Sequence, residues 1–199
     1  MGQYFKALIK DRNKRTVYNY RGFSKLMEHS YLTNELTDAV FKHIYNIGPC
    51  RVAWIGDYGN DVCDTFNLTH RLYMKEYEYV WGEKDHDTVI RPSDDPEIEF
   101  TCDRLKDMAL VNHTKAVYID FEKYIANQLR VSNNEAVICP LSILTACGNH
   151  RGGGDYHGKQ DELAGTWAFD LVELTEKKNL SGLPLIPSYY SEFPVIFLE

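Results

Sequence analysis

Residues 148–158 combine the backbone and side-chain groups that a phosphate-binding loop requires. Five of the chain's 13 glycines fall in this segment, and Gly152, Gly153 and Gly154 are consecutive. Consecutive glycines are costly in conformational entropy, and they are typical of backbone that takes unusual dihedral angles or approaches a ligand closely. Their N–H groups can form an anion-binding concavity. The segment predicts a ligand loop, and the competing interpretation is a flexible turn between strands.

The other side chains of this loop can bind an anion or transfer protons. Arg151 supplies a planar cation suited to phosphate or carboxylate, while His150 and His157 can donate, accept or shuttle protons near neutral pH. Asp155 and Tyr156 add hydrogen-bonding groups. We expect the loop to bind a ligand, with the histidines as catalytic acid and base if the protein is an enzyme. The loop is not a Walker A motif, because Gly-x-x-x-x-Gly-Lys-Ser/Thr is absent.

The turn that follows an apolar strand predicted over 50–55 is a second candidate site. It reads Gly-Asp-Tyr-Gly-Asn-Asp over 56–61, and Asp57 and Tyr58 are its candidate ligand-binding residues. Strand ends commonly carry such residues. Glycine, aspartate and asparagine also favour turns for backbone reasons, so an ordinary turn is the alternative.

A third candidate is Asn-His-Thr-Lys at 112–115, the predicted tip of a β-hairpin over 108–119. Asn112 can bind a ligand through its amide, and His113 can supply a further imidazole beside those of the glycine-rich loop. The competing interpretation is turn chemistry, which also favours asparagine.

These motifs require no cofactor, although one alternative includes a divalent metal. His150, His157 and Asp155 could form an open zinc or manganese site, but no His-x-x-x-His pair supports it. The five cysteines contain no Cys-x-x-Cys pair, so neither a zinc framework nor disulfides are expected. For Cys147, near His150 in the sequence, a buried core thiol is the preferred interpretation.

The motifs are carried by a chain of 199 residues with a net charge of -7 and 44% hydrophobic residues. That length suits a single domain, 1–199, and the acidity argues against a surface that binds duplex nucleic acid. No apolar run approaches the length of a membrane span, and the amino terminus lacks the order of a signal peptide. We therefore expect a cytoplasmic protein without a membrane partner.

Strand patterns outnumber helical patterns along the chain. Alternation of apolar and polar residues predicts two strands of a hairpin over 3–10 and 16–20. A tyrosine-rich segment over 71–81 is predicted to be extended. Apolar strands are predicted over 136–146 and 166–174, the latter with its aromatic residues and Leu171 on one side.

Helices are predicted at three places. One begins at Ser24, a second begins at Thr33 or Asn34 and ends at Gly48, and a third is capped by Asp120. Few helices among many strands predict an α+β fold, with a mainly antiparallel mixed sheet and two or three helices.

Residues 83–107 form a predicted acidic insertion within the domain, with nine acidic and four basic residues. Pro92 and Pro96 argue against a regular element there. We expect a loop-rich surface segment, whose acidity could also mimic nucleic acid.

Six motifs stand in order along nearly the whole chain. They are Met-Gly-Gln-Tyr at 1–4, Lys-Leu-Met-Glu-His-Ser at 25–30, Trp-Ile-Gly-Asp-Tyr at 54–58, Val-Asn-His-Thr-Lys at 111–115, Gly-Asn-His-Arg-Gly-Gly-Gly-Asp-Tyr-His-Gly at 148–158 and Gly-Thr-Trp-Ala-Phe-Asp at 165–170. The series resembles a family of hypothetical proteins of similar length that are carried by bacteriophages and prophages of gut and soil bacteria. The resemblance implies a viral or mobile-element origin and does not by itself imply a reaction.

A phage origin makes a role against host defence a reasonable analogy. The favoured hypothesis is sequestration of a small phosphate-containing nucleotide signal, in a closed pocket that could lie between subunits of a homo-oligomer. The first alternative is a phosphodiesterase or other hydrolase that degrades the nucleotide by histidine acid–base chemistry. The second is an acidic inhibitor of a host nuclease or other defence protein, acting through 83–107.

Overall fold

The computed structural model contains a mostly antiparallel sheet with helices packed against it, which confirms the predicted α+β fold class. It describes residues 4–11, 15–18, 24–25, 31–32, 34–57, 77–82, 89–90, 98–131, 137–147 and 164–180. Nine strands of these residues form one sheet. They are β1 (Tyr4–Lys10), β2 (Arg15–Tyr18), β3 (Ser24–Lys25), β4 (Cys50–Gly56), β5 (Val89–Ile90), β6 (Met108–Asn112), β7 (Val117–Asp120), β8 (Ala146–Cys147) and β9 (Leu171–Glu176).

The strands lie in the order β5-β2-β1-β4-β9-β6-β7, with β3 beside β1 and β8 beside β4. Among the described pairs, β2 with β5 and β4 with β8 are parallel, and the others are antiparallel. Both predicted hairpins are confirmed, because β1 pairs with β2 and β6 pairs with β7.

β4 lies centrally in the sheet and separates two clusters of buried side chains. Val52 and Trp54 pack into the larger cluster, whereas Ala53 and Ile55 pack into a smaller one. Successive side chains of a strand point to opposite faces, so burial on both faces explains the apolar run of this strand. We call the side of the larger cluster the first face and the side of the smaller cluster the second face.

Helix α1 (Glu35–Ile47) belongs to the first face, where it packs against β9. Asn34 caps it as predicted, because its side chain accepts a hydrogen bond from the Leu36 N–H at 2.8 Å. Leu36 and Ile44 are buried on the predicted apolar stripe. The helix ends at Gly48, whose φ of 74° is a conformation that glycine adopts most easily.

Helix α3 (Phe121–Val131) follows β7 directly. The Asp120 carboxylate accepts a hydrogen bond from the Glu122 N–H at 3.0 Å, so Asp120 caps this helix as predicted. Phe121 is buried in the first-face cluster, and its ring centroid lies 5.7 Å from that of Phe41, with the rings perpendicular. Such edge-to-face contacts add stability beyond that of burial.

The other described helices are short. They are α2 (Cys102–Leu105), α4 (Pro140–Leu144), a helical segment at 77–81 and a 3-10 turn at Lys177–Leu180. None of the helices in the described residues has the length and apolarity needed to cross a membrane.

Three predicted elements differ from the structure. Ser24 does not cap a helix, because Ser24–Lys25 pairs with β1 as β3. The described part of the tyrosine-rich segment, 77–81, is helical and not extended. The continuous strand predicted over 136–146 is wrong, because α4 occupies Pro140–Leu144 and only an isolated bridge at Ile138 and the short β8 are paired as strands. Periodicity cannot distinguish a short buried helix from a buried strand.

The strand predicted over 166–174 begins later than expected. Turns occupy 164–169, and β9 starts at Leu171. Phe169 has a φ of 62°, which is incompatible with extended backbone. Trp167 packs into the first-face cluster and Phe169 against the second, so the prediction that they share a side is wrong.

The carboxyl-terminal part of the predicted acidic insertion belongs to the protein core. Phe100 and Leu105 are buried in the first-face cluster, and the Phe100 N–H donates to the Asp38 carboxylate of α1 at 2.8 Å. The loop-rich surface segment predicted over 83–107 therefore does not include 98–107. Apolar side chains within an acidic run are enough to anchor it to the core.

Candidate functional site

Two neighbouring parallel strands end together at one edge of the sheet. In the pairing of β4 with β8, Trp54 lies opposite Ala146 and Ile55 lies opposite Cys147. β8 ends at Cys147, so residue 148, the first of the glycine-rich loop, is bonded to a strand end beside the end of β4. The carboxyl ends of parallel strands are frequent ligand-binding positions.

The same edge includes the ends of two further strands. Tyr4, the first residue of β1, pairs with Lys25 of β3, and Phe5 pairs with both Ser24 and Gly56. We call this edge the motif edge. The residues at it belong to, or directly precede, four of the sequence motifs, those at 1–4, 25–30, 54–58 and 148–158.

Asp57 holds β1 and β4 together at the motif edge. Its Oδ1 accepts a hydrogen bond from the Tyr4 N–H at 3.0 Å, and its own N–H donates to the Tyr4 carbonyl at 2.9 Å. The Tyr77 hydroxyl donates to the Asp57 carbonyl at 2.7 Å. Within the described residues, Oδ2 of this carboxylate accepts no hydrogen bond. Asp57 thus has a structural role at the motif edge through its Oδ1 and its backbone N–H.

Four aromatic side chains pack on the second face, and we call them the aromatic group. They are Tyr77, Tyr79, Trp81 and Phe169, each partly exposed and packed against the second cluster. The Trp81 indole N–H donates to the Ile55 carbonyl at 3.1 Å. This bond and the one from the Tyr77 hydroxyl fasten the helical segment to the last residues of β4.

Lys6 places a positive charge within this aromatic surface. Its Nζ lies 4.3 Å from the centroid of the Trp81 ring and donates to the Val80 carbonyl at 3.3 Å. Ammonium above an indole ring forms a cation–π contact. Burial lowers the pKa of Lys6 from its ordinary value, because the ammonium loses hydration.

The aromatic group is a feature that sequence reasoning missed, because 71–81 is predicted to be extended. A signal was present in the spacing. Tyr77, Val80 and Trp81 stand at positions i, i+3 and i+4, which share one face of a helix.

Asn112 is buried at the end of β6, and both ends of its amide are engaged within the protein. Its Nδ2 donates to the Asp170 carboxylate at 2.8 Å, and its Oδ1 accepts from the Lys115 N–H at 2.9 Å. Lys115 Nζ lies 3.3 Å from the same Asp170 oxygen. These bonds are those of a hairpin tip fastened to the chain before β9, as in the turn interpretation.

His113 forms a pair with a carboxylate. Its Nε2 lies 2.8 Å from Oε2 of Glu173, and both side chains are partly exposed. A carboxylate beside an imidazole orients the ring and selects its tautomer. The arrangement occurs in acid–base sites and in structural ion pairs alike.

The structure brings Asn112 and His113 together but separates them from Asp57. The His113 N–H donates to the Leu171 carbonyl at 2.8 Å, and Leu171 pairs with Arg51 near the start of β4. Asp57 lies beyond the other end of this strand, about 20 Å away at the usual rise per residue.

The other predicted site residues lie outside the described residues. They are Tyr58, His150, Arg151, Gly152, Gly153, Gly154, Asp155, Tyr156 and His157. The alternative metal ligands are among them. Within the residues that the structure does describe, no group of three or more His, Cys, Asp or Glu side chains could hold a metal ion.

Three of the four described cysteines fit the core interpretation, and Cys102 is partly exposed. Cys50, Cys139 and Cys147 are buried thiols. Burial raises the pKa of Cys50 to about 12 and that of Cys139 to about 11, because an apolar environment disfavours the thiolate. Such thiols are poor nucleophiles at neutral pH.

No protein-family model, curated protein or solved structure matches this chain. Its function is therefore inferred from its own residues and from their arrangement at the motif edge.

Proposed function

We propose that this protein is a phage accessory protein that binds and sequesters a small phosphate-containing nucleotide of host defence through residues 148–158. The observation that carries the binding part of the proposal is the parallel pairing of β4 with β8. It brings the start of the most glycine-rich segment of the chain to the strand end that carries Asp57.

The chemistry of the segment fits an anionic ligand. The backbone N–H groups of consecutive glycines and the guanidinium of Arg151 are groups suited to phosphate oxygens. The strand that leads into the segment is firmly held, because Ala146 and Cys147 are buried and paired with β4. A loop whose flanking strand is already held in place loses less conformational entropy when it binds a ligand.

The hydrolase alternative is favoured by a different observation, the pair of His113 with Glu173. An oriented imidazole is the usual base in nucleotide hydrolysis. We rank it second because a hydrolase also needs an acid and an aligned substrate, whereas binding needs only a loop that holds the anion.

A depletion-and-release assay tests the proposal. Excess purified protein is mixed with cyclic dinucleotides, ADP-ribose and cyclic ADP-ribose isomers, and the free fraction is chromatographed before and after the protein is denatured. A nucleotide that disappears and returns intact is the expected result. A nucleotide that returns as a new product establishes the hydrolase instead, and depletion of none of them overturns both.

Two arginine variants show whether the loop is responsible. We expect Arg151→Gln to weaken retention of the depleted nucleotide about 10- to 100-fold, since a charge-assisted hydrogen bond is lost. Arg130→Gln makes the same charge change on α3, where Arg130 is exposed and donates to Asn127, and should have no effect. If both variants retain the nucleotide equally well, the proposal that residues 148–158 bind it is wrong.

A histidine variant separates the two candidate functions. If the protein is a hydrolase that uses His113, His113→Gln should abolish product formation and retain most of the affinity. If it sequesters, the parent forms no product and the substitution changes retention little, because His113 lies far from the motif edge.

A further inference from the structure

We infer that an open cavity where β6 begins and β9 ends binds a small zwitterion, a molecule with one ammonium and one carboxylate group such as a free α-amino acid. The cavity has a volume of about 460 Å³, within the range of small-molecule sites. We call it the charged cavity, and its lining residues are Arg104, Asp107, Met108, Glu176, Lys177 and Lys178.

The charged cavity lies far from the motif edge. Because β9 runs antiparallel to β4 and Val172 pairs with Cys50, the rest of β9 extends beyond the start of β4. Glu176, at the end of β9, is therefore roughly 30 Å from Asp57 at the usual rise per residue. The inference concerns a second site and does not rest on the proposed function.

Hydrogen bonds hold the backbone around the cavity. Arg104 and Asp107 belong to one turn, in which the Asp107 N–H donates to the Arg104 carbonyl at 3.2 Å. The Lys177 N–H donates to the Asp107 carbonyl at 2.9 Å, and Met108 pairs with Glu176 in the sheet. The chain positions that carry the lining side chains are therefore fixed in advance, which lowers the entropy lost on binding.

Three of the lining charges are balanced within the protein. The Lys177 ammonium lies 2.6 Å from the Glu122 carboxylate, and Lys178 forms an ion pair with Glu176. Each pair sums to zero charge, so these residues add little net attraction for a ligand of either sign.

Arg104 and Asp107 supply the charges that select the ligand. Both side chains are exposed, and among the described residues neither forms a hydrogen bond or an ion pair. The Arg104 guanidinium lies 5.3 Å from the centroid of the Phe100 ring, and a guanidinium in contact with a ring retains N–H donors in its own plane for a carboxylate. A cation and an anion in one turn are complementary to a molecule that carries both charges.

The same two charges argue against a simple ion. An anion paired with Arg104 would meet the like charge of Asp107, and a cation paired with Asp107 would meet that of Arg104. Met108 lines the cavity with an adaptable apolar side chain. An amino acid with an aliphatic side chain matches all three contacts.

The methyl signal of Met108 reports binding at the cavity. The chain has four methionines, so in protein labelled with ¹³C-methyl methionine the variant Met108→Leu identifies the signal. We expect L-leucine to shift it in a saturable way. N-acetyl-L-leucine lacks the ammonium and L-leucinamide lacks the carboxylate, and each should bind about 5- to 10-fold more weakly.

Variants assign each ligand group to its residue. Arg104→Gln and Asp107→Asn should each weaken L-leucine binding about 5- to 10-fold. Arg104→Gln should change the affinity for L-leucinamide little, and Asp107→Asn that for N-acetyl-L-leucine, because the group that each residue binds is already missing. The matched controls, Lys106→Gln and Asp103→Asn, change the same charges in the same turn but outside the cavity lining, and should bind like the parent.

The inference is overturned if neither L-leucine nor any other standard amino acid shifts the Met108 signal in a saturable way. It is overturned equally if the three leucine ligands bind alike, or if Arg104→Gln and Asp107→Asn bind L-leucine as tightly as their controls. None of these results changes the depletion assay, so the inference and the proposed function can fail separately.

Discussion

In the part of the chain that the structure describes, the two faces of the sheet bury apolar side chains to different extents. The first face is covered by α1, α3 and α4, and its rings pack edge to face in the interior, as Phe41 does with Phe121. The second face has a small buried cluster whose surrounding aromatic residues remain partly exposed. Among the described residues, the first face therefore buries more apolar side chains than the second face does.

Polar contacts orient aromatic side chains on both faces. On the first face the Tyr124 hydroxyl donates to the Ile138 carbonyl at 3.0 Å. On the second face the Tyr77 hydroxyl and the Trp81 indole N–H donate to the Asp57 and Ile55 carbonyls. The first-face bond lies in the interior, whereas Tyr77 and Trp81 are partly exposed.

The largest loss of stability is expected when a large side chain is removed from the first-face cluster. Phe41→Ala should lower the free energy of unfolding by about 3–5 kcal/mol, because it leaves a cavity among rings that cannot close around it. Phe41 is fully buried and contacts Phe100 and Phe121. Urea denaturation followed by circular dichroism measures the loss. A loss below about 1 kcal/mol would contradict the assignment of the main core.

A smaller loss is expected on the second face. Val80→Ala should lower the free energy of unfolding by roughly 2 kcal/mol, the value of a buried valine side chain. Val80 is fully buried within the second cluster. The same denaturation experiment applies, and a loss equal to that of Phe41→Ala would show that the faces contribute alike.

The contribution of the Tyr77 hydroxyl to stability can be measured against that of a first-face tyrosine hydroxyl. Tyr77→Phe should cost about 0.5–1.5 kcal/mol, since a good hydrogen bond to the Asp57 carbonyl is lost. The matched control is Tyr45→Phe, whose hydroxyl lies 3.5 Å from Glu176 Oε1, too long to contribute much. Thermal unfolding of both variants should shift the midpoint only for Tyr77→Phe. Equal shifts would mean that the second-face hydroxyl has no special role.

At most positions alanine is more stable than glycine, but backbone strain at Phe169 predicts the opposite order there. Phe169→Gly should be more stable than Phe169→Ala by about 1 kcal/mol, because only glycine adopts a φ of 62° without steric cost. Both variants lose the ring, so their difference isolates the strain. Denaturant midpoints measure it, and an alanine variant as stable as the glycine variant would show that the strain is absent.

The smallest expected effect is on the loss of stability at acidic pH. The Lys177 ammonium, 2.6 Å from the Glu122 carboxylate, lowers the pKa of Glu122 below its ordinary 4.5 by hydrogen bonding and charge. A carboxyl group with a lowered pKa in the folded chain stabilises it above pH 4.5, and that contribution is lost as the pH falls through the folded-state value. Glu122→Gln should therefore lose slightly less stability than the parent on acidification, measured by urea midpoints at pH 7 and below 4.5. Because the pair is exposed, a large difference would contradict its surface position.

Local signals in the sequence were sufficient for several elements. Asn34 and Asp120 are residues that cap helices through a short side-chain oxygen, and both do so here. The β1–β2 and β6–β7 hairpins were predicted from alternation and polar turns, which depend on neighbours along the chain. Such features need no knowledge of distant contacts.

Elements that depend on distant contacts were predicted less well. The 137–147 segment has an apolar composition that suits either a strand or a helix. In the folded protein its residues 140–144 form the buried helix α4. Phe100 and Leu105 lie in an acidic run whose charge suggested a surface loop, but the first-face core holds them. Lys6 and Trp81 are far apart in sequence, so their contact was beyond any local pattern.

The sequence by itself determined the α+β class, the caps of α1 and α3, the hairpins and the chemical character of the glycine-rich segment, because these follow from residue type and short-range spacing. Only the tertiary structure decided that Asp57 and residue 148 follow adjacent strand ends and that Asn112 and His113 lie at the opposite end of β4. It also decided that aromatic residues of 77–81 face the same strand. These relations are set by strand order and register, which arise from burial of both sheet faces at once.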